Sequence, residues 1–267
     1  MAAGKRLQGK VAVITGGAMG LGAAAARLFS LHGAKVLIAD IQPSELGQTL
    51  CKEIEAESGH PVTYLQCDVT SDADMQNAVD TAVSMHGKLD IMYSNAGISG
   101  QKITPTDLRI SSVTPEVFRK VFDINVYGSF LAAKHAARVM EKSGNGGVIL
   151  LTGSAATASY GMAPHAYTAS KHAVVGLTKN LCVELGQFGI RVNCISPFGV
   201  PTPLSMDITG MDEAAFEEAF KAKGNLKGVA LRADDIANAA LNLVSHESKY
   251  ISGINLLVDG GHSLMSA

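Results

Sequence analysis

The feature that most constrains the fold of this 267-residue chain is its alternation of short apolar runs with helical stretches. The apolar runs are almost uninterrupted, which is typical of parallel strands that helices cover on both faces. Right-handed crossovers between such strands give either a doubly wound sheet or a closed barrel. A glycine-rich turn after the first run favours the doubly wound sheet. We therefore predict one α/β domain spanning residues 1–267.

Seven strands and seven main helices can be placed along the sequence. The strands are predicted at 10–15, 35–39, 62–66, 89–93, 147–152, 190–195 and 254–258. The helices are predicted at 20–32, 43–58, 71–86, 114–142, 163–187, 212–223 and 233–245. A break is expected in the fourth helix near residues 123–125. Because the strands are parallel, their carboxyl ends should share one edge, where ligands bind in open α/β sheets.

Composition argues against several classes of partner and site. Hydrophobic residues make up 47% of the chain, and the net charge is −2 with no basic run, so nucleic-acid binding is not expected. No apolar stretch approaches the roughly 20 residues that cross a membrane, and the N-terminus lacks the apolar segment of a signal peptide. The four cysteines form no CxxC pair, which predicts reduced, buried thiols and a cytoplasmic protein. The eight histidines show no metal-binding spacing, so we predict no metal.

A phosphate-binding turn is predicted directly after the first strand. Gly16, Gly20 and Gly22 follow the spacing GxxxGxG and lead into an alanine-rich helix. Glycine permits a tight turn and close approach of a pyrophosphate, whose charge meets the exposed amides of the helix N-terminus. The alternative is a glycine turn that serves packing alone.

Asp40 ends the second predicted strand and bears on the choice of cofactor. A carboxylate there can accept hydrogen bonds from ribose hydroxyls and repels a 2′-phosphate, which favours NAD over NADP. No basic residue stands beside it at positions 41 and 42 to bind such a phosphate. The alternative is an aspartate that caps the turn into Pro43.

The stretch from Ser154 to Lys171 carries the candidate acid/base chemistry. If it is helical, Tyr167 and Lys171 lie four residues apart on one face. A phenol with an ordinary pKa of about 10 is a poor base at neutral pH, and a neighbouring ammonium would lower that pKa. Ser154 could offer a hydroxyl to the same substrate oxygen. Tyrosine and lysine at this spacing also occur by chance on many helices.

Several motifs together resemble the short-chain dehydrogenase/reductase family over almost the whole chain. The motifs are TGGAMGLG at 15–22, Asp68, SNAG at 94–97, Asn125, Ser154, YTASK at 167–171 and SPFGVPT at 196–202. The resemblance implies a Rossmann-type domain with a seven-stranded parallel sheet, assembled as a homotetramer. More narrowly, the chain is similar to the plant secoisolariciresinol-dehydrogenase-like group, which uses NAD to oxidise secondary alcohols of lignans and terpenoids such as borneol.

The resemblance also implies roles for particular residues. It implies that Ser154, Tyr167 and Lys171 are catalytic and that Asn125 holds a water molecule in a proton relay. Motif and resemblance together predict the cofactor-binding residues Gly16, Met19, Gly20, Leu21, Gly22, Asp40, Ile41, Asp68, Val69, Asn95, Ala96, Gly97, Tyr167, Lys171, Pro197, Val200 and Thr202.

A substrate pocket is predicted beside the reactive centre. Its expected residues are Ile98, Ser99, Ser154, Tyr160, Met162, Phe198 and Met206. Few charges occur among them, which predicts a small, neutral, hydrophobic alcohol as the substrate. The segment 201–228 either forms a mobile lid over this pocket or belongs to the core.

The predicted function is therefore NAD-dependent oxidation of a hydrophobic secondary alcohol to a ketone or lactone, with Tyr167 as the acid/base. One alternative is an NADPH-type ketone or 3-ketoacyl reductase, because the same residues catalyse both directions. Another is a non-catalytic NAD-binding scaffold, which the presence of Ser154, Tyr167 and Lys171 disfavours.

Overall fold

The computed structural model describes residues 5–104 and 108–265, so both ends of the predicted domain, 1 and 267, lie outside the described residues. The described chain forms one sheet of seven strands. The strands are β1 (Val11–Thr15), β2 (Lys35–Asp40), β3 (Val62–Gln66), β4 (Ile91–Ser94), β5 (Gly147–Thr152), β6 (Ile190–Pro197) and β7 (Asn255–Val258). All neighbouring strands pair in parallel, in the order β3-β2-β1-β4-β5-β6-β7. The predicted doubly wound, seven-stranded parallel sheet is confirmed.

Nine α-helices accompany the strands over the described residues. They are α1 (Gly20–Leu31), α2 (Ser44–Ser58), α3 (Asp72–His86), α4 (Pro115–Phe122), α5 (Gly128–Ser143), α6 (His165–Leu185), α7 (Pro203–Thr209), α8 (Glu213–Lys223) and α9 (Ala233–Val244). None of them combines the length and apolar character that a membrane crossing needs.

Helix starts follow capping chemistry that the sequence carries. The Ser71 hydroxyl accepts from the amide of Asp74 at the start of α3, and the Thr114 hydroxyl accepts from the amide of Val117 at the start of α4. Both contacts satisfy amides that have no partner within their helix. Pro115 follows Thr114 at the first helical position, where its fixed φ is already suitable.

Two apolar cores lie on opposite faces of the sheet. Strand residues Val13, Met92 and Ile149 pack on one face with apolar residues of α3, α5 and α6, among them Met75. Residues Ile14, Ile38, Tyr93 and Leu150 pack on the other face with apolar residues of α1, α2 and α9. The sheet is therefore covered on both sides, which explains why its strands are almost continuously apolar.

The break predicted in the fourth helix is a π-helical turn. Residues Asp123–Tyr127 form it between α4 and α5, and the backbone stays in the right-handed helical region on both sides. The chain therefore bulges by one residue without ending the helix, a geometry that is frequent at functional sites. Asn125, in the middle of the turn, is 0% exposed.

Helix α7 was not predicted. It spans only seven residues, Pro203–Thr209, and begins with a capping box between Thr202 and Ser205. The helix predicted at 212–223 is confirmed as α8, with the Asp212 carboxylate accepting from the amide of Ala215 at its start. The carboxyl ends of β1 to β6 and these two helices enclose one cavity.

Candidate active site

The glycine turn after β1 is packed too closely for side chains at two of its positions. Gly16 has a φ of +62°, and a Cβ atom there would lie 2.7 Å from the Cα of Ala96. A Cβ at Gly22 would overlap the carbonyl oxygen of Gly16 and lie 2.7 Å from the Asn95 amide nitrogen. These positions therefore require glycine, and the turn lies open to the cavity through Gly16 and Gly20.

Asn95 ties the glycine turn to the middle of the sheet. Its Nδ2 donates to the carbonyl oxygens of Thr15 at 3.2 Å and Gly16 at 3.0 Å. Its Oδ1 accepts from the Thr152 hydroxyl at the end of β5, at 3.4 Å. The Thr15 hydroxyl in turn accepts from the amides of Asn95 and Ala96. One carboxamide thus joins the ends of three neighbouring strands, β1, β4 and β5.

Two carboxylates lie where the adenosine part of a dinucleotide is expected. Asp40 is buried, and its Oδ2 accepts from the amide of Ala18 at 2.9 Å while its Oδ1 accepts from the amide of Gln42 at 3.1 Å. It therefore does cap the turn after β2, as the alternative held, and it also lines the cavity. Asp68 lines the cavity too, and one of its oxygens is held by the amide and hydroxyl of Thr70.

Tyr167 and Lys171 lie one turn apart near the start of α6, as predicted, and both line the cavity with Ser154. The Lys171 side chain is only 3% exposed. Its Nζ donates to the carbonyl oxygen of Thr152 at 2.9 Å and lies 5.5 Å from the centroid of the Tyr167 ring. Ser154 lies two residues after the end of β5, so the sheet edge and α6 together bring these groups to one place.

The pKa values of this pair differ from the simple expectation. Burial raises the pKa of the Tyr167 phenol, and a hydrogen bond with Ser154 opposes this only in part. Burial lowers the pKa of Lys171 from 10.5 to about 8. Desolvation disfavours the charged form of each group, and this effect prevails over the lowering of the phenol's pKa that the neighbouring ammonium predicts.

Asn125 connects the loop after β4 to α6. Its Oδ1 accepts from the amide of Ile98 at 2.8 Å, and its Nδ2 donates to the Ile98 carbonyl oxygen and to the Ser170 hydroxyl, each at 2.9 Å. Both amide hydrogens are therefore in use. A Cβ at Gly97 would lie 3.1 Å from Oδ1 of Asn125 and 3.3 Å from Nζ of Lys171, so glycine keeps this approach open. The water-holding role of Asn125 stays a prediction.

One cavity of about 570 Å³ brings most of the predicted site residues together. All predicted cofactor-binding residues except Gly22 line it, and Gly22 supports the turn from behind. Of the predicted pocket residues, the lining includes Ile98, Ser99, Ser154, Met162 and Phe198.

The structure places two predicted pocket residues, Tyr160 and Met206, outside the lining. Tyr160 is 73% exposed and its ring stacks on His172, so it points away from the cavity. Met206 lies on α7 between the lining residues Ser205 and Asp207 but does not line the cavity itself.

Several apolar residues outside the predicted pocket set line the substrate side, and four of them belong to the segment 201–228. They are Ile103, Leu204, Ile208, Phe216 and Phe220. Phe216 and Phe220 carry a readable signal, their spacing of four residues, but apolar residues at that spacing also form ordinary cores. Over the described residues, no group of His, Cys, Asp and Glu could hold a metal ion.

A family model described as enoyl-(acyl carrier protein) reductase matches residues 16–263. A short chain aldehyde dehydrogenase 1 of Euphorbia lathyris is 56% identical, over 97% of this chain and 90% of that protein. The chain is a short-chain dehydrogenase/reductase. The resemblance drawn from its motifs is confirmed, and so is the prediction of an oxidoreductase.

Other relatives place this short-chain dehydrogenase/reductase among plant enzymes. Secoisolariciresinol dehydrogenase of Forsythia intermedia is 52% identical over 98% of this chain and 92% of that protein. A protein named borneol dehydrogenase, mitochondrial, of Lavandula x intermedia is also 52% identical, over 98% and 93%. A 7α-hydroxysteroid dehydrogenase solved with NADH and 7-oxo glycochenodeoxycholic acid superposes with a TM-score of 0.85 and 33% identity, over 96% of this chain and 95% of that one.

A nicotinamide cofactor suits this dehydrogenase/reductase on the geometry of its own residues. The glycine turn gives backbone amides close access to a pyrophosphate because Gly16 and Gly22 admit no side chain. The cavity continues from this turn past Asp40 and Asp68 on one side and to Ser154, Tyr167 and Lys171 on the other. One concave site therefore offers both a dinucleotide cradle and an acid/base group.

Proposed function

We propose that this protein catalyses NAD-dependent oxidation of a hydrophobic secondary alcohol to the corresponding ketone or lactone. The observation that carries the proposal is the juxtaposition of Ser154, Tyr167 and Lys171 with an apolar wall in the cavity that the glycine turn opens into. When bound, the nicotinamide would accept the hydride from the alcohol carbon. Apart from Asp207 on α7, the wall beside these three residues is uncharged, which suits an apolar substrate because burying unpaired charge in such a pocket is costly.

The three side chains have separate tasks in this proposal. Ser154 donates a hydrogen bond to the substrate oxygen and orients it. Tyr167 takes the hydroxyl proton as a general base and returns it in the reverse direction. Lys171, buried beside the ring, supplies the positive charge that stabilises the phenolate. Asn125 holds α6 against the loop after β4 through Ser170, which fixes the phenol in place.

We propose NAD rather than NADP as the cofactor. Asp40 places a buried carboxylate at the end of β2 where a 2′-phosphate would approach it. Among the described residues that line the cavity, Lys171 is the one basic side chain, and it lies at the catalytic end. No lining cation is thus available at the Asp40 end to offset the repulsion.

The substrate class that we propose is a terpenoid alcohol such as borneol, or a lignan alcohol. Two relatives carry names of that kind, borneol dehydrogenase and secoisolariciresinol dehydrogenase. The substrate side of this chain's cavity supports the proposal, since Ile103, Ile208, Phe216 and Phe220 give it aliphatic and aromatic surface. The segment 201–228 contributes the last three of these and serves as the cover of the pocket.

A panel assay tests the function directly. The purified protein is incubated with NAD and a series of borneol-type, lignan, steroid and simple cyclic alcohols, and the absorbance of the reduced cofactor is followed. We expect turnover of bulky neutral secondary alcohols. Efficient turnover of a charged sugar acid or an acyl thioester, or no turnover of any alcohol, contradicts the proposal. The corresponding ketones with NADH and NADPH test the reductase alternative in the same experiment.

We also propose a cytoplasmic homotetramer. The cysteines Cys51, Cys67, Cys182 and Cys194 are all free thiols, which suits a reducing compartment. Exposed aromatic side chains on α4, the π-helical turn and α5, including Phe118, Tyr127 and Phe130, offer an apolar surface for assembly. Light scattering coupled to size-exclusion chromatography measures the assembly, and a monomer of 27.8 kDa would contradict it.

A further inference from the structure

Four aromatic rings contact one another in a row, here called the stack, that runs from the C-terminal turn, residues 259–264, to the cavity. The His262 ring stacks on Phe198 with centroids 4.1 Å apart. Phe198 meets Phe220 edge-on at 5.4 Å, and Phe220 stacks on Phe216 at 4.1 Å. The three phenylalanines line the cavity, whereas His262 is not one of its lining residues. The stack therefore links a residue outside the cavity to three rings of its wall.

Gly199 makes the middle of this stack possible. A Cβ atom at position 199 would overlap the ring of Phe220, so the ring lies directly against the backbone that follows β6. The neighbouring residue, Val200, is a predicted cofactor-binding residue and lines the same cavity. Ring packing at Phe220 thus joins α8 to the backbone segment at the catalytic end of the site.

Helix α8 has few other attachments to the core. Phe216 is the one residue of Glu213–Lys223 that is buried, at 1% exposure. The exposed face carries charged residues, and Arg232 pairs with Glu217 at 2.7 Å near the surface. Because exposed ion pairs contribute little, the stacked rings supply most of what holds α8 over the cavity.

The C-terminal turn is also bonded to the end of α8. His262 donates from Nδ1 to the carbonyl oxygen of Lys223, the last residue of α8, at 2.9 Å. The amide of Leu226 donates to the carbonyl oxygen of Gly260 at 3.1 Å. The turn is therefore hydrogen-bonded to the C-terminal end of α8, and the His262 ring packs against the stack.

The turn is rigid because Asp259 organises it. The Asp259 carboxylate accepts from the amides of Gly261 at 2.9 Å and Ser263 at 3.0 Å, and it is buried. The amide of His262 donates to the Asp259 carbonyl oxygen at 3.0 Å. A fixed turn presents the His262 ring to Phe198 in one orientation.

We infer that His262 is a positioning residue that fixes α8 as one wall of the substrate cavity, so that the C-terminal turn determines selectivity between bulky and small alcohols. The part of this inference that concerns alcohol selectivity rests on the proposed function. The part that concerns the position of α8 rests on the ring contacts alone. Removing the His262 ring leaves one face of Phe198 and the Lys223 carbonyl oxygen without this partner. Helix α8 is then held less firmly, while the acid/base groups keep their contacts.

The experiment compares His262→Ala, His262→Phe and the control His246→Ala in the full-length chain. His246 lies in the short turn after α9, away from the cavity lining. Each variant is assayed with NAD and either borneol or cyclohexanol. We expect His262→Ala to lower the borneol-to-cyclohexanol ratio of kcat/KM by about tenfold, because one aromatic pair and one hydrogen bond are lost. Most of this change should appear in KM for borneol. His262→Phe, which keeps the ring, should retain most of the ratio. The control should keep all of it.

Hydrogen exchange followed by mass spectrometry gives a second readout that needs no substrate. Amides of residues 213–223 should exchange faster in His262→Ala than in the unaltered protein, and much less so in His262→Phe. Unchanged exchange in His262→Ala overturns the inference whatever the activity, and so does an unchanged alcohol ratio in an active enzyme. If the unaltered protein oxidises no alcohol, the proposed function fails, and exchange alone still decides the role of His262.

Discussion

The cofactor side and the substrate side of the cavity are held together by different kinds of contact. On the cofactor side, Asn95 and Asp40 bond to backbone atoms of the glycine turn. On the substrate side, α8 is held by ring stacking among Phe198, Phe216 and Phe220. Directional bonds demand particular residues at particular positions, whereas stacked rings demand volume and shape. The first side should therefore respond sharply to small substitutions, and the second side more gradually.

The largest effect should come from the phenol at the boundary of the two sides. Tyr167→Phe removes the group that we propose takes the alcohol proton, and we expect kcat to fall by about 10²-fold or more. Steady-state assays with saturating NAD measure this. Tyr160→Phe is the matched control, because its ring is exposed and lies outside the lining. Activity near the unaltered level in a folded Tyr167→Phe protein would remove Tyr167 from the acid/base role.

A methyl group in the glycine turn tests how strictly the cofactor side is built. Gly22→Ala places a Cβ against the Gly16 carbonyl and the Asn95 amide, and overpacking of this kind costs about 1–3 kcal/mol. We therefore expect cofactor affinity to fall by between about fivefold and about 150-fold. Titration with NADH, followed by fluorescence, measures the affinity. Gly176→Ala is the control, because position 176 in α6 faces open space. Equal affinities in the two variants would show that the turn tolerates a side chain.

The expected pH dependence follows from the shifted pKa values of Tyr167 and Lys171. Oxidation needs the phenolate, whose pKa burial raises, so kcat/KM should rise about tenfold per pH unit below that pKa. The rise should level off near pH 8, because Lys171 loses its proton there and no longer stabilises the phenolate. Ketone reduction uses the neutral phenol and should show no such rise over the same range. An oxidation profile that is flat below pH 8 would contradict this assignment.

Cofactor choice should depend on one carboxylate. Asp40→Ser removes the charge that faces a 2′-phosphate, and we expect the NAD-to-NADP ratio of kcat/KM to fall by about tenfold or more. Asp68→Asn is the comparison, since it should weaken both cofactors alike. A preference of the unaltered protein for NADP would defeat the hypothesis.

The smallest effects are expected on the substrate side. Phe216→Ala removes the buried ring of α8 from the pocket wall, and KM for a bulky alcohol should rise about tenfold, as for His262→Ala, because part of an apolar contact is lost. Met206→Ala, on the neighbouring helix but outside the lining, should change KM by less than about twofold. Thermal unfolding of both variants separates this effect from a loss of folded protein. A Met206→Ala effect as large as that of Phe216→Ala would favour the original placement of Met206 in the pocket.

Most of the fold was predictable because it depends on pattern. The seven strands and their parallel pairing follow from apolar runs, and the bounds of α1, α3 and α9 came within a residue or two of those predicted. Helix α7 was missed because seven residues give too little periodicity to read. The break near Asp123 was placed correctly, yet its nature as a π-helical turn was not foreseeable, since only tertiary contacts decide whether a helix bulges or stops.

The polar part of the site was predictable and much of the apolar part was not. Glycines, Asp40, Asn95 and the YTASK motif stand out because their chemistry is unusual at those positions. Ile208 and Phe216 lie in the segment predicted to be either lid or core, and the sequence does not decide between the two, because an apolar residue at helical spacing can face either a cavity or a core. Tyr160 was misplaced for a related reason: it is close in sequence to Ser154, but its ring turns outward to His172.

The π-helical turn at Asp123–Tyr127 has a consequence for how this helix could change. Shortening the turn by one residue would restore an ordinary helix, and everything beyond it would rotate by about 100°. The Asn125 carboxamide would then leave Ile98 and Ser170, its partners on the two neighbouring segments. The extra residue therefore keeps the Asn125 carboxamide in register with these partners. The poorer helical geometry there is tolerated because a regular helix would lose its hydrogen bond to α6.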